Sequence, residues 1–119
     1  MRLTRVYHWS PKQNREKILR EGLTILNSTI EYENPETGER ETWKPPYLCT
    51  SLDPWTAWRY VLPMLDEAEP PHMDLYFFDL VESDDVTIRN DRTIDIIEVR
   101  VRNAVAADRV HYIATREEE

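Results

Sequence analysis

An α+β fold, with mixed or mostly antiparallel sheets of about six strands and two or three helices, is the architecture this sequence predicts. Three observations carry the expectation. Segments with helix caps and helical apolar spacing fall early, at 13–21 and 54–65, while the later half is a run of short β-branched and aromatic stretches separated by turn residues. Ile96 to Arg102 alternates, with Ile97, Val99 and Val101 on one face and Glu98, Arg100 and Arg102 on the other, as a strand with one wet side does. Helices early and strands late also lack the strand–helix alternation of a doubly wound parallel sheet.

The first element is a strand over Val6 to Trp9, built from β-branched and aromatic residues that suit a half-buried pleated surface. Ser10 is placed as an N-cap and Pro11 as a first helical residue, so a helix is expected through Gln13 to Glu21, with Ile18 and Leu19 facing a core. Gly22 then supplies the left-handed residue that ends it. Leu23 to Ile30 reads as extended. Glu31 to Thr42 is polar around a Pro35 to Gly38 turn, a solvated loop or hairpin tip before a flap beside a site.

Trp43 to Pro46 is a stiff connector, and Tyr47 to Ser51 a short strand. Ser51 or Asp53 caps a second helix that carries Trp55, Trp58, Leu62 and Leu65 as an apolar stripe, with Pro63 ending or kinking it. Asp66 to His72 is an acidic, proline-containing connection. Leu75 to Val81 is apolar enough to be buried on both faces, and so to be central. Turns at 83–85 and 90–91 flank a strand from Val86 to Arg89. After Ile96 to Arg102 come a short connection at 104–108 and a last strand from Val110 to Ile113.

At 119 residues the chain is expected to be one domain, 1–119, burying somewhat under ~70% of its unfolded surface. Within it 1–30 holds the first strand and helix, 31–46 the polar loop, 47–114 the remaining strands and second helix, and 115–119 an acidic tail. With 40% hydrophobic and 32% charged residues, the composition argues against disorder. A net charge of −8 makes nonspecific DNA binding unlikely, since any phosphate contact works against the overall field. A lone cysteine excludes an intrachain disulfide, and no stretch reads as a signal peptide or membrane span, so a cytoplasmic setting without membrane attachment is expected.

Few residue constellations carry chemistry. His8, His72 and His111 lack metal-ligand spacing and one cysteine cannot complete a zinc site, so no metal is expected. Gly22 and Gly38 cannot form a glycine-rich phosphate loop. Cys49 with His8 would make a thiol nucleophile and base, but a single strand cysteine is usually a small buried hydrophobe. By alternation alone Glu98 is a wet-face residue paired loosely with Arg100 or Arg102.

Tyr7-His8-Trp9-Ser10, with Asn14, Ile18-Leu19 and Gly22-Leu23, resembles the opening of the ADP-ribosyltransferase superfamily, including its DNA-modifying toxin branch. A first strand ending in Tyr-His there leads into a helix of the form Asn-x-x-x-Ile-Leu-x-x-Gly-Leu. Glu98 and the segment through Ile113 resemble the glutamate-bearing strand, connection and final strand that close the same fold. The middle motif of the superfamily is a tyrosine or a Ser-Thr-Ser run, and Tyr47 and Cys49-Thr50-Ser51 match each in part.

The resemblance implies NAD as substrate and transfer of ADP-ribose to a macromolecular acceptor, protein or nucleic acid. It implies Glu98 as catalytic carboxylate, with His8, Thr50, Ser51 and Tyr47 binding the dinucleotide. Ile96 stands where the arginine-modifying branch carries Glu or Gln, which argues against arginine as acceptor; likeness to the RNA 2′-phosphotransferase branch is also incomplete. NAD hydrolysis is a second enzymatic reading. A nucleotide-binding or partner-inhibiting module of weak catalytic power is the rival from another class.

Overall fold

The computed structural model describes residues 4–24, 30–34, 36–43, 47–56, 72–91 and 96–116, and the statements below concern these. They form an α+β domain of eight strands, and every strand pair is antiparallel. The second helix expected through Trp58, Leu62 and Leu65 lies outside the described residues beyond its first turn at 54–56. No helix among the described residues is long and apolar enough to cross a membrane.

β1 (Arg5–Pro11) pairs along its whole length with β5 (Met73–Asp79), which pairs on its other side with β8 (His111–Arg116). β5 is thus central, as its apolar run predicts, with Met73, Asp74, Tyr76 and Phe78 fully buried. A second sheet sets β7 (Ile96–Val101) between β4 (Leu48–Thr50) and β6 (Val86–Asp91). Val6, Ile18, Leu48, Phe78, Val99 and Val101 belong to the core cluster. Each such side chain contributes roughly 1.5–3 kcal/mol of burial free energy.

Three local expectations are corrected. Ser10 does not cap a helix: ladder pairing with β5 carries β1 on to Pro11↔Met73, and Ser10 is fully buried opposite Asp74. A 3-10 turn over Lys12–Asn14 follows, and α1 (Arg15–Glu21) begins after Asn14. Of the two readings of the polar stretch, solvated loop or hairpin tip, the second holds: in place of a loop over 31–46, β2 (Ile30–Glu33) and β3 (Arg40–Trp43) pair as a hairpin. Its tip is the expected tight turn, with the Gly38 amide donating to the Asn34 carbonyl at 2.7 Å. The turn expected at Asn90-Asp91 is strand, because both residues pair with β7.

Gly22 ends α1 at φ 88°, its amide donating to the Ile18 carbonyl. Leu23 then bridges Val105 through two 2.9 Å hydrogen bonds, which ties the helix exit to the segment after β7. Arg15 ties the helix start to the first sheet. Its guanidinium donates to both oxygens of the fully buried Asp74, at 2.8 and 2.7 Å, and Thr115 donates to the same carboxylate at 2.6 Å.

Among the described residues a backbone bridge joins the two sheets. Tyr7 and Ser51 form an isolated antiparallel bridge, with Tyr7 N to Ser51 O at 2.8 Å and Ser51 N to Tyr7 O at 3.1 Å. Through it the strands run β8, β5, β1, β4, β7, β6. Strand parity then follows across the seam.

Candidate functional site

β1, β4 and β7 carry the sequence-predicted residues, and the fold makes them neighbours. β4 pairs with β7 through Leu48↔Val101, Cys49↔Arg100 and Thr50↔Val99, so one further step sets Ser51 beside Glu98. Residues directly opposite in an antiparallel ladder share a face. Tyr7, Ser51 and Glu98 therefore lie on one face, continued by Arg89 across from Glu98. His8, Thr50 and Val99 lie on the other. Sequence reasoning placed His8, Thr50, Ser51 and Glu98 around one cleft, whereas strand alternation divides them between two faces of the β1–β4 seam.

His8 is 5% exposed, and its Nδ1 lies 2.8 Å from the Cys49 carbonyl. A carbonyl only accepts, so the proton sits on Nδ1 and Nε2 presents a lone pair. Burial lowers the His8 pKa from the usual histidine value, against the opposing pull of the Cys49 carbonyl, and keeps the ring neutral. Nε2 is buried and has no hydrogen-bond partner among the described residues. An orphaned buried acceptor costs free energy that a hydroxyl donor would recover.

Thr50 and Ser51 are fully buried with their hydroxyl protons committed. Thr50 Oγ1 donates to the Val99 carbonyl at 2.7 Å, stitching β4 to β7 on the core side. Ser51 Oγ donates to the Asp53 carbonyl. Asp53 in turn caps the 54–56 turn, accepting from the Thr56 amide and hydroxyl at 2.7 Å each. Trp9 Nε1 donates to the Pro54 carbonyl at 2.9 Å and anchors that turn to β1. These hydroxyls therefore shape the site. Neither is poised as a nucleophile.

Glu98 is 3% exposed. Its carboxylate accepts from Arg100 Nε, and the Arg100 guanidinium lies 4.3 Å from the centre of the Tyr47 ring. Hydrogen bonding to Glu98 raises the Arg100 pKa, so the guanidinium stays charged. Tyr47, which the sequence offered as a dinucleotide contact, therefore acts here as a stacking platform for the arginine. Cys49 lies beneath the same group. Burial first, then the nearby Glu98 charge, pushes its thiol up to about 12, which removes it as a nucleophile.

A depression of about 280 Å3 lined by Leu52, Asp53, Thr56 and Ile97 abuts Ser51 and Glu98 through their chain neighbours. Leu52 and Ile97 are exposed there. Among the described residues no group of three acidic, histidine or cysteine side chains is placed to hold a metal. Arg100 is the site residue that sequence reasoning set aside as a loose surface partner. Its signal was the Glu-x-Arg spacing on one strand, which sets both side chains on the same face. No protein-family model matches the chain, and neither do any curated proteins or solved structures.

Proposed function

We propose that this domain binds NAD and transfers its ADP-ribose to a macromolecular acceptor, as the likeness of its three motif segments to the ADP-ribosyltransferase superfamily implies. One observation carries the reading. Segments some forty to ninety residues apart in sequence, around His8, Cys49 to Ser51 and Glu98, meet through the Tyr7–Ser51 bridge, the His8–Cys49 hydrogen bond and the β4–β7 ladder.

In this reaction the bond between the ribose C1′ and the nicotinamide nitrogen breaks, and its electron pair leaves with nicotinamide. Positive charge develops on the sugar. A carboxylate held in a largely water-excluded setting stabilises such charge more than it would in water, and Glu98 is that group. The acceptor nucleophile then bonds to C1′ and gives up its proton. His8 lies on the opposite face of the seam and contributes through its hydrogen bond to the Cys49 carbonyl, which holds β1 against β4.

Glu98→Gln keeps the shape and a hydrogen-bonding group but removes the charge. Nicotinamide release from NAD is expected to fall by about 100-fold or more, as when other preorganised electrostatic groups are removed, while thermal unfolding stays cooperative. Equal release by the folded variant would sink the assignment. The rival reading, a nucleotide-binding module with weak chemistry, is favoured by the closure of Glu98 under Arg100. It predicts NAD binding without release in both proteins.

A further inference from the structure

Three arginines stand together on one face of the second sheet of a chain whose net charge is −8. Arg89 is opposite Glu98, Arg100 is opposite both Thr87 and Cys49, and Arg102 follows Arg100 by two residues with its guanidinium on the Thr87 hydroxyl. The acidic residue of the same parity next to β6, Asp85, falls just before the strand. The middle of the face is cationic.

Glu98 contacts this cluster through Arg100, and these two partners are unequally covered. The Glu98 side chain is 5% exposed and that of Arg100 23%, so the guanidinium lies outermost, over the carboxylate. A guanidinium bonded through Nε still presents further N–H donors in its plane, the arrangement that binds phosphate oxygens in pairs. Stacking on Tyr47 fixes that plane.

The ion pair also raises a conflict. A carboxylate neutralised by Arg100 stabilises positive charge on a sugar poorly, so the guanidinium has to find another anion before Glu98 acts. We infer that the arginine face is a diphosphate-binding subsite, in which Arg100 exchanges the Glu98 carboxylate for the diphosphate of a bound dinucleotide. The inference rests on the proposed function and deepens it, because the substrate's own charge frees the carboxylate. Tyr47 serves both states, since ring stacking leaves the edge of the guanidinium open to either anion. Arg89 and Arg102 add to the local field from either side.

The experiment titrates the full chain with inorganic pyrophosphate, NAD and nicotinamide riboside, which lacks a diphosphate, and measures nicotinamide release from NAD. Wild type, Arg100→Gln, Arg100→Lys and Arg102→Gln are compared after each is shown to unfold cooperatively. Arg100→Gln is expected to weaken pyrophosphate and NAD by about tenfold and riboside by less than about twofold. Arg100→Lys recovers part of the loss by restoring charge without the planar fork. Arg102→Gln, which leaves the Glu98–Arg100 pair intact, weakens pyrophosphate by roughly threefold.

Unchanged pyrophosphate affinity in Arg100→Gln, or equal weakening of NAD and riboside, overturns the subsite. Arg100-dependent pyrophosphate binding without nicotinamide release from NAD supports the subsite and removes the transferase reading. Nicotinamide release at wild-type rate and KM in Arg100→Gln removes the subsite and leaves the transferase reading standing.

Discussion

Burial decides what His8 is. The ring is 5% exposed, its Nδ1 proton is held by the Cys49 carbonyl, and desolvation lowers its pKa below the ordinary value near ~6.5. The unfolded chain therefore takes up a proton near pH ~6.5 that the folded chain refuses, and stability falls as pH falls below that point. The limiting slope for one such group is about 1.4 kcal/mol per pH unit. The pKa values of Asp74 and Asp84 are lowered too, for a different reason. Hydrogen bonds from Arg15 and Arg109 outweigh the opposing effect of burial and hold both below the usual aspartate value, so their contributions are lost only under more acidic conditions, below pH ~4.

Urea unfolding at pH 7.5 and 5.5 separates these groups. Wild type is expected to lose about 1 kcal/mol across that interval through His8. His8→Asn keeps an amide donor for the Cys49 carbonyl but cannot titrate, and should flatten the dependence. The same slope in both proteins would mean that another group titrates. His8 and Glu98 were singled out in sequence by the resemblance alone, and the structure shows both to be buried. The facing of each was not legible, since it depends on a bridge between Tyr7 and Ser51 that no local pattern encodes. The grip of Arg100 on Glu98 follows from spacing, but its closure under a guanidinium stacked on Tyr47 is a tertiary result.

At the scale of elements, the two glycines in the chain do different work. Gly22 at φ 88° sits where an added Cβ would meet the Val105 carbonyl oxygen at 2.0 Å, at the bridge that joins the α1 exit to Val105. Gly38 at φ 73° tips the β2–β3 hairpin with nothing within 4 Å of an added Cβ. Gly22→Ala carries both backbone strain and a collision with main chain, and is expected to cost roughly 3 kcal/mol or more in denaturant unfolding. Gly38→Ala carries the left-handed penalty alone, about 1 kcal/mol. Equal costs would show that the Leu23–Val105 bridge yields easily.

The helix stop at Gly22, the central β5 and the alternation of β7 from Val99 onward were readable because each rests on local geometry or periodicity, whereas Ile97, expected to face in, is exposed and Glu98, expected on the wet face, is buried. Two errors share one cause. Ser10-Pro11 has good helix-start chemistry and 31–42 has loop composition, yet ladder pairing with β5 in one case and between β2 and β3 in the other extended the strands. Tertiary pairing overrode local preference.

At the scale of the molecule, two antiparallel sheets meet at one bridged position, and the segments around His8, Cys49 to Ser51 and Glu98 lie on either side of that seam. The fold class was legible from the order of helices and strands. The seam was not, because a single non-local bridge leaves no periodic signal. On a chain of net charge −8, the cationic patch around Arg89, Arg100 and Arg102 is the local exception on which the proposed dinucleotide binding rests.

Calorimetric titration of the intact protein with NAD, followed in the same sample by an assay for free nicotinamide, tests the central claim most directly. The account predicts saturable binding near one site per chain, with nicotinamide released by wild type and not by Glu98→Gln. The absence of any NAD binding by the folded wild-type protein would contradict it, and would leave the convergence of His8, Cys49 and Glu98 as packing alone.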